Sequence, residues 1–158
     1  MKEILHLDQH KDFPRKFYGI ITSTKNKYTI NVLDFDSNIE TVLLSKINNY
    51  FYFGVIPQTY FNGFPLYFIF YTDYEFDLFN KVELSPLYYL KMLIGDLSIN
   101  LVISKSEKDI IGLNKDQYKE IIKDIFNPED LIILSNPENI LEKANTDYHK
   151  KFIKVYKS

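Results

Sequence analysis

The sequence predicts a single α+β domain built on an aromatic-rich antiparallel sheet. Apolar and polar residues alternate over about residues 17–84, as in half-buried strands, whereas the later part of the chain has the longer period of amphipathic helices. The 158 residues include 13 Phe and 13 Tyr but no Trp, and aromatic side chains favour strands. We therefore expect a β-meander at about residues 17–84, followed by helices packed against the sheet, in one domain spanning residues 1–158.

The meander is predicted from five apolar runs that are separated by turn-forming residues. The runs are residues 17–23, 27–34, 40–44, 50–56 and 66–72. The pair Asn62-Gly63 lies between the last two runs and favours a turn, so we expect residues 57–65 to form a loop. Residues 77–83 are a further candidate strand.

Beyond residue 85 the pattern predicts helices, with short strands between them. Ser85-Pro86 is typical of a helix start and Gly95 of a residue just beyond a helix end, which predicts a helix over residues 86–94. Residues 98–104 and 131–134 are expected to be strands.

Two further helices have clearer signals. Asn114 and Gln117 form a capping-box pattern, and apolar residues then recur at helical spacing as far as Phe126. Asn136-Pro137 begins a last helix. Its apolar stripe is Leu141, Ala144, Tyr148, Phe152 and Val155 or Tyr156.

Charge and composition exclude several classes of partner. The formal net charge is −2, from 19 basic and 21 acidic residues, so no overall attraction draws the chain to nucleic acid or to an anionic membrane. Arg15 is the only arginine, although arginine is the usual bidentate reader of phosphate and guanine. No signal-peptide pattern precedes residue 17 and no apolar run could span a bilayer, which predicts a cytoplasmic protein.

The sequence lacks several motifs that would carry catalytic chemistry. It contains no Cys, which excludes disulfides, thiolate metal sites and cysteine nucleophiles. Its two nearest glycines, Gly54 and Gly63, are nine positions apart, whereas standard nucleotide-binding loops need closely spaced glycines. We expect no cofactor.

His6, Asp8 and His10 form the clearest metal-like pattern in the chain. In a strand the two histidines would stand about 13 Å apart, too far to share one ion. In a helix the histidines would be neighbours but Asp8 would point elsewhere. We therefore expect a polar N-terminal segment without a bound metal, and keep a metal-dependent enzyme as an alternative.

Three alternating carboxylates, Asp73, Glu75 and Asp77, are expected on one face of a strand about 6.6 Å apart. They suit an acid/base pair of a small hydrolase. They also suit a solvated strand face that prevents edge aggregation, or a negative strip that attracts a basic protein partner.

The aromatic residues Tyr60, Phe61 and Phe64 fall in the predicted loop and would be exposed there, which is typical of a binding surface. Four lysines near the end of the chain fit either a helix C-terminus or a nucleic-acid patch, but the latter would need nearby aromatics. They are Lys150, Lys151, Lys154 and Lys157.

Together these features favour a non-enzymatic intracellular protein-binding or inhibitor module, such as a bacterial immunity protein or a phage counter-defence protein. The predicted surface for the protein partner contains Tyr60, Phe61, Phe64, Asp73, Glu75 and Asp77. The alternative is a small hydrolase or metal-dependent enzyme that uses the His6/Asp8/His10 segment or the acidic strand.

Overall fold

A computed structural model of the protein describes residues 2–36, 38–109 and 113–153. These residues form eight strands and two α-helices, with a 3₁₀-helix at Lys2–His6 and a π-helical turn at His149–Ile153. The strands are β1 (Phe17–Ser23), β2 (Lys27–Leu33), β3 (Ile39–Asn48), β4 (Phe51–Phe61), β5 (Phe64–Tyr71), β6 (Lys81–Ile94), β7 (Leu97–Ser106) and β8 (Asp130–Leu134). The helices are α1 (Lys115–Phe126) and α2 (Pro137–Tyr148).

Five of the strands close into a barrel. The hydrogen-bonded order is β1-β4-β5-β7-β6, and β6 pairs with β1 in turn, so the ring has no free edge. β8 adds to β6 outside the ring, and β2 and β3 form a separate hairpin. The result resembles the five-stranded Greek-key barrel of OB-like folds.

The predicted α+β class is confirmed in broad terms, but the simple antiparallel meander is not. β5 and β7 run parallel, and β1 pairs with β6, whose paired residues lie more than 60 positions away. Alternation along one strand shows which residues face the core, but it does not show which strand is its neighbour.

Phe68 lies inside the barrel, in an apolar cluster that draws buried residues from all five ring strands. A methyl group on Gly19 would lie 2.4 Å from the Phe68 ring, and one on Gly54 would lie 2.6 Å from it and 2.0 Å from the Ile20 carbonyl oxygen. These two glycines therefore make room for the ring. A second apolar cluster lies outside the ring, beneath α1 and the β2–β3 hairpin.

The predicted helix over residues 86–94 is wrong, because this segment belongs to β6. Its middle pairs with β7 on one side and β8 on the other, and strands buried between neighbours are continuously apolar rather than alternating. Pro86 lies at a register shift between Pro86 and Tyr88, where a missing N–H is tolerated. Gly95, with a φ of 59°, belongs to the turn from β6 into β7 rather than to a helix end.

The predicted loop over residues 57–65 is mostly strand. β4 and β5 continue to Phe61 and Phe64, which pair with each other across the two-residue turn Asn62-Gly63. Both turn residues have positive φ, 51° and 93°, as the tight turns of hairpins require. The predicted turn is thus confirmed, and the aromatic residues extend from strands rather than from a long loop.

Residues 72–80 form an irregular loop, so the acidic residues Asp73, Glu75 and Asp77 do not share a strand face as predicted. The two later helices are confirmed: α1 begins with the Asn114–Gln117 capping box, and α2 begins at Pro137. Leu141, Ala144 and Tyr148 of the predicted stripe are buried, whereas Val155 and Tyr156 lie outside the described residues.

Within the described part of the chain, no helix combines the length and the apolar character needed to cross a membrane.

Candidate functional site

A basic cleft of about 610 Å³ lies between the end of β4 and the end of α2. Its volume is in the range of small-molecule sites in proteins. We call it the basic cleft. It is lined by Tyr60, Phe61, Asn62, Lys143, Asp147, Lys150 and Lys151.

A bulge in β4 sets the geometry of one wall of the cleft. The register between β4 and β5 shifts after Ile56, and Gln58 adopts a positive φ of 57° within this irregular segment. The buried Thr59 hydroxyl donates to the Ile56 carbonyl at 2.6 Å and accepts from the Leu66 amide at 2.9 Å, which replaces lost ladder bonds. The amide side chain of Asn145 donates to the Gln58 carbonyl at 2.9 Å, which ties α2 to the bulge.

The cleft carries an excess of positive charge. Its single carboxylate, Asp147, forms an ion pair with Lys143 at 3.1 Å. Among the described residues, Lys150 and Lys151 have no carboxylate partner, and both are exposed. Three lysines against one carboxylate favour an anionic ligand.

An aromatic cluster supports the floor of the cleft. The ring of Tyr60 lies 5.3 Å from that of Phe35 and 6.0 Å from that of Phe152, and the Lys151 ammonium lies 5.8 Å from the Tyr60 ring centre. His6 packs against the same group, 5.1 Å from the Phe152 ring, and its Nδ1 bonds to the Tyr148 hydroxyl. The wall of the cleft is therefore held by four separate chain segments.

The metal-like pattern at the N-terminus is dispersed in the structure. His6 turns towards α2, whereas His10 is buried and its Nε2 bonds to the Glu83 carboxylate on β6. His10 Nδ1 accepts from the Asp12 amide, and Asp8 accepts from the Gln58 side chain at 3.4 Å. These three side chains have different partners and do not converge on one point.

The predicted partner surface separates into two groups. Tyr60, Phe61 and Phe64 lie at the hairpin end of β5, and all three are half-buried and packed against the apolar clusters. Asp73, Glu75 and Asp77 follow the other end of the strand, where they line a different, polar cleft of about 500 Å³. The eight residues of β5 separate the two groups by about 23 Å.

Sequence reasoning identified parts of the basic cleft but did not join them. The run of C-terminal lysines was recognised, and a nearby aromatic was the missing partner. The structure supplies it, since Tyr60 and Phe61 come from a strand some 90 positions earlier. Lys143 and Asp147, which lie four positions apart on α2, were not predicted; the (i, i+4) spacing was their signal.

No protein-family model matches the sequence, and no curated protein is similar to it. Solved structures are similar over most of the chain. An inorganic pyrophosphatase from Thermus thermophilus is 16% identical, with a TM-score of 0.67 over 92% of this chain and 98% of that one. The inorganic pyrophosphatase of Helicobacter pylori is 21% identical, with a TM-score of 0.63 over 90% of this chain and 98% of that one. A type I inorganic pyrophosphatase from Toxoplasma gondii is 14% identical, with a TM-score of 0.65 over 94% and 85% of the two chains.

At these identities the likeness establishes the fold: this chain has the fold of inorganic pyrophosphatases. That finding overturns the expectation of a non-enzymatic immunity, inhibitor or counter-defence protein, because the similar structures are hydrolases. It favours the alternative of a small hydrolase. The two residue sets named for that alternative, however, do not form a metal site in the structure.

Proposed function

We propose that this protein acts on a small phosphate anhydride of the inorganic pyrophosphate class, which it binds in the basic cleft. The observation that carries the proposal is the fold, since similar solved structures across nearly the whole chain are inorganic pyrophosphatases. Among the clefts of the described residues, the basic cleft has the charge that such a ligand requires.

The lysines of the cleft suit a multiply charged phosphate anion. Lysine binds phosphate as a compact point charge, and Lys150 and Lys151 have no competing carboxylate among the described residues. Positive groups around a transferring phosphoryl group also stabilise the negative charge of its transition state. The same residues would therefore support both binding and cleavage of a P–O–P bridge.

Enzymes that transfer phosphoryl groups commonly use divalent cations, which here would need ligands from the protein. The residues of the cleft do not fit that role. Its one carboxylate, Asp147, is already paired with Lys143. We therefore derive no metal-assisted step, and the contribution of this chain is to bind, orient and neutralise the anion.

Calorimetric titration with pyrophosphate, together with an assay of phosphate release, tests the proposal. We expect saturable binding at low ionic strength, and Lys150→Ala/Lys151→Ala should weaken it about ten-fold because two charged contacts are lost. Alanine is the best helix former, so this double variant should remain folded. Release of phosphate above the rate of the buffer would establish the hydrolytic reaction.

A matched control removes two lysines from another helix. Lys119→Ala/Lys123→Ala on α1 changes the net charge by the same amount, and both residues are exposed on a helix that packs against β3 rather than beside the cleft. Pyrophosphate affinity should be nearly unchanged in this control. An equal loss in both variants, or no binding by the wild type, would contradict the proposal.

A further inference from the structure

A protein-bound divalent cation needs several oxygen ligands that converge on one point. Calcium takes six to eight oxygens, and magnesium requires a nearly ideal octahedron. Two-metal phosphoryl-transfer sites hold their ions about 4 Å apart, which demands still more shared carboxylates. Such a centre is visible in a structure as a cluster of acidic or histidine side chains.

This chain does not assemble such a cluster. Over residues 2–36, 38–109 and 113–153, no group of three or more His, Cys, Asp or Glu side chains is placed to hold a metal ion. The remaining residues of the sequence cannot complete one, since none of them is His, Cys, Asp or Glu. They are Met1, Ser37, Ile110, Ile111, Gly112, Lys154, Val155, Tyr156, Lys157 and Ser158.

Several acidic side chains are instead engaged singly, on different parts of the surface. Asp124 pairs with Lys46 at 2.7 Å, linking α1 to β3. Glu107 pairs with Lys16, and Glu83 accepts from His10. Asp147 pairs with Lys143 in the basic cleft itself.

The one local concentration of carboxylates, Asp73, Glu75 and Asp77, lies near the opposite end of β5 from the basic cleft. It shares its cleft with Lys25 rather than with the lysines of α2. It therefore cannot supply ligands to an ion between the basic cleft and its anion.

We infer that this pyrophosphatase-fold protein binds its phosphate anhydride without a protein-held metal ion, so that lysine ammonium groups alone supply the positive charge. The inference rests on the proposed function, since it concerns the same ligand and the same cleft. It deepens that function by assigning the recognition to Lys143, Lys150 and Lys151. Binding should then be insensitive to chelators and should weaken as salt screens the exposed charges.

The first test needs no phosphate ligand. Titration of the wild-type protein with Mn²⁺, followed by electron paramagnetic resonance of the free ion, should show no stoichiometric site tighter than about 1 mM, the weak end of protein cation sites. A stoichiometric site of micromolar affinity would overturn the inference.

The second test compares pyrophosphate binding in EDTA and in Mg²⁺ at equal ionic strength. We expect saturable binding in EDTA and weaker binding in Mg²⁺, because Mg²⁺ neutralises part of the charge of the ligand. Binding that appears only with Mg²⁺ would overturn the inference while leaving the proposed function standing. Absence of binding in both conditions would overturn the proposed function, and the Mn²⁺ titration would still decide the question of the metal.

Asp147→Asn gives the two accounts opposite signs. If lysines alone bind the anion, removing this carboxylate releases Lys143 and lowers the opposing charge, so affinity in EDTA should rise about two- to five-fold. If Asp147 were a metal ligand, the same change would weaken binding. Asp147 is half-buried on the helix surface, and the isosteric amide preserves its shape. A loss of affinity in Asp147→Asn would therefore contradict lysine-only recognition.

Discussion

The ammonium of Lys151 lies 5.8 Å from the centre of the Tyr60 ring, and this contact joins the C-terminal helical segment to β4 across the basic cleft. The ring is itself held by Phe35 and Phe152. A cation over an aromatic face is stabilised by the ring quadrupole, so Tyr60 orients a lysine that would otherwise be a mobile surface side chain.

Tyr60→Leu should therefore weaken pyrophosphate binding by about two- to five-fold, the equivalent of one exposed cation–π contact. Tyr60→Phe keeps the ring and serves as the control, with affinity close to that of the wild type. Titration calorimetry at low salt measures both. Equal losses in the two variants would assign the role to the hydroxyl group rather than to the ring.

The bulge beside the cleft depends on the hydroxyl of Thr59. Thr59→Val keeps the shape but leaves the Ile56 carbonyl and the Leu66 amide without their partner, so the free energy of unfolding should fall by about 1–3 kcal/mol. Thr59→Ser retains the hydroxyl and should lose much less. Urea denaturation of the three proteins checks this expectation, and a stable valine variant would show that the hydroxyl bonds contribute little.

The barrel interior predicts a difference between two glycines. Gly19→Ala should cost about 1–3 kcal/mol, because its new methyl meets the Phe68 ring, and Phe68→Leu should relieve part of that cost. Gly54→Ala also meets the Ile20 carbonyl oxygen at 2.0 Å, so the same second change should not rescue it. A double-mutant cycle for each pair, measured by chemical denaturation, separates the two cases. Equal rescue of both would contradict the packing described.

Buried tyrosines predict a loss of stability at alkaline pH. Burial raises the pKa of Tyr118 to about 12, and it also raises the pKa of Tyr67, whose hydroxyl donates to the Leu33 carbonyl. In the unfolded chain a tyrosine ionises at about pH 10. Between these values the unfolded state releases protons that the folded state retains, so the free energy of unfolding falls as pH rises above about 10.

Tyr118→Phe should reduce the steepness of that fall between about pH 10 and 12, because one of the contributing groups is removed. Thermal melts at several pH values measure the slope. An unchanged slope would mean that Tyr118 does not titrate differently in the folded protein. Tyr67 should keep some of the slope in the variant, since it remains buried.

The sequence predicted those elements whose signal is local. The capping box at Asn114 and Gln117 defined α1, and Asn62-Gly63 marked the hairpin turn correctly. β6 was mistaken for a helix because its middle is covered by strands on both sides, which removes the alternation that marks a half-buried strand. Closure of the barrel was not predictable, since the pairing of Phe17 with Leu84 leaves no local trace.

The candidate site shows the same division. The C-terminal lysines and the aromatic residues near Gly63 were both recognised, but their contact depends on how α2 packs against β4. The bond from Asn145 to the Gln58 carbonyl, which fixes that packing, joins residues 87 positions apart. Alternation suggested instead that the aromatics and the acidic residues share a surface, whereas β5 separates them.

The most direct test of the central claim is a nuclear magnetic resonance titration of the labelled protein with pyrophosphate in EDTA at low salt. The account predicts saturable amide shifts concentrated at residues 60–62 and 143–151, which together line the basic cleft. It also predicts little change at residues 73–77, which line the acidic cleft. Shifts centred on the acidic cleft, or no shifts at any ligand concentration, would contradict the assignment of the basic cleft as the phosphate-anhydride site.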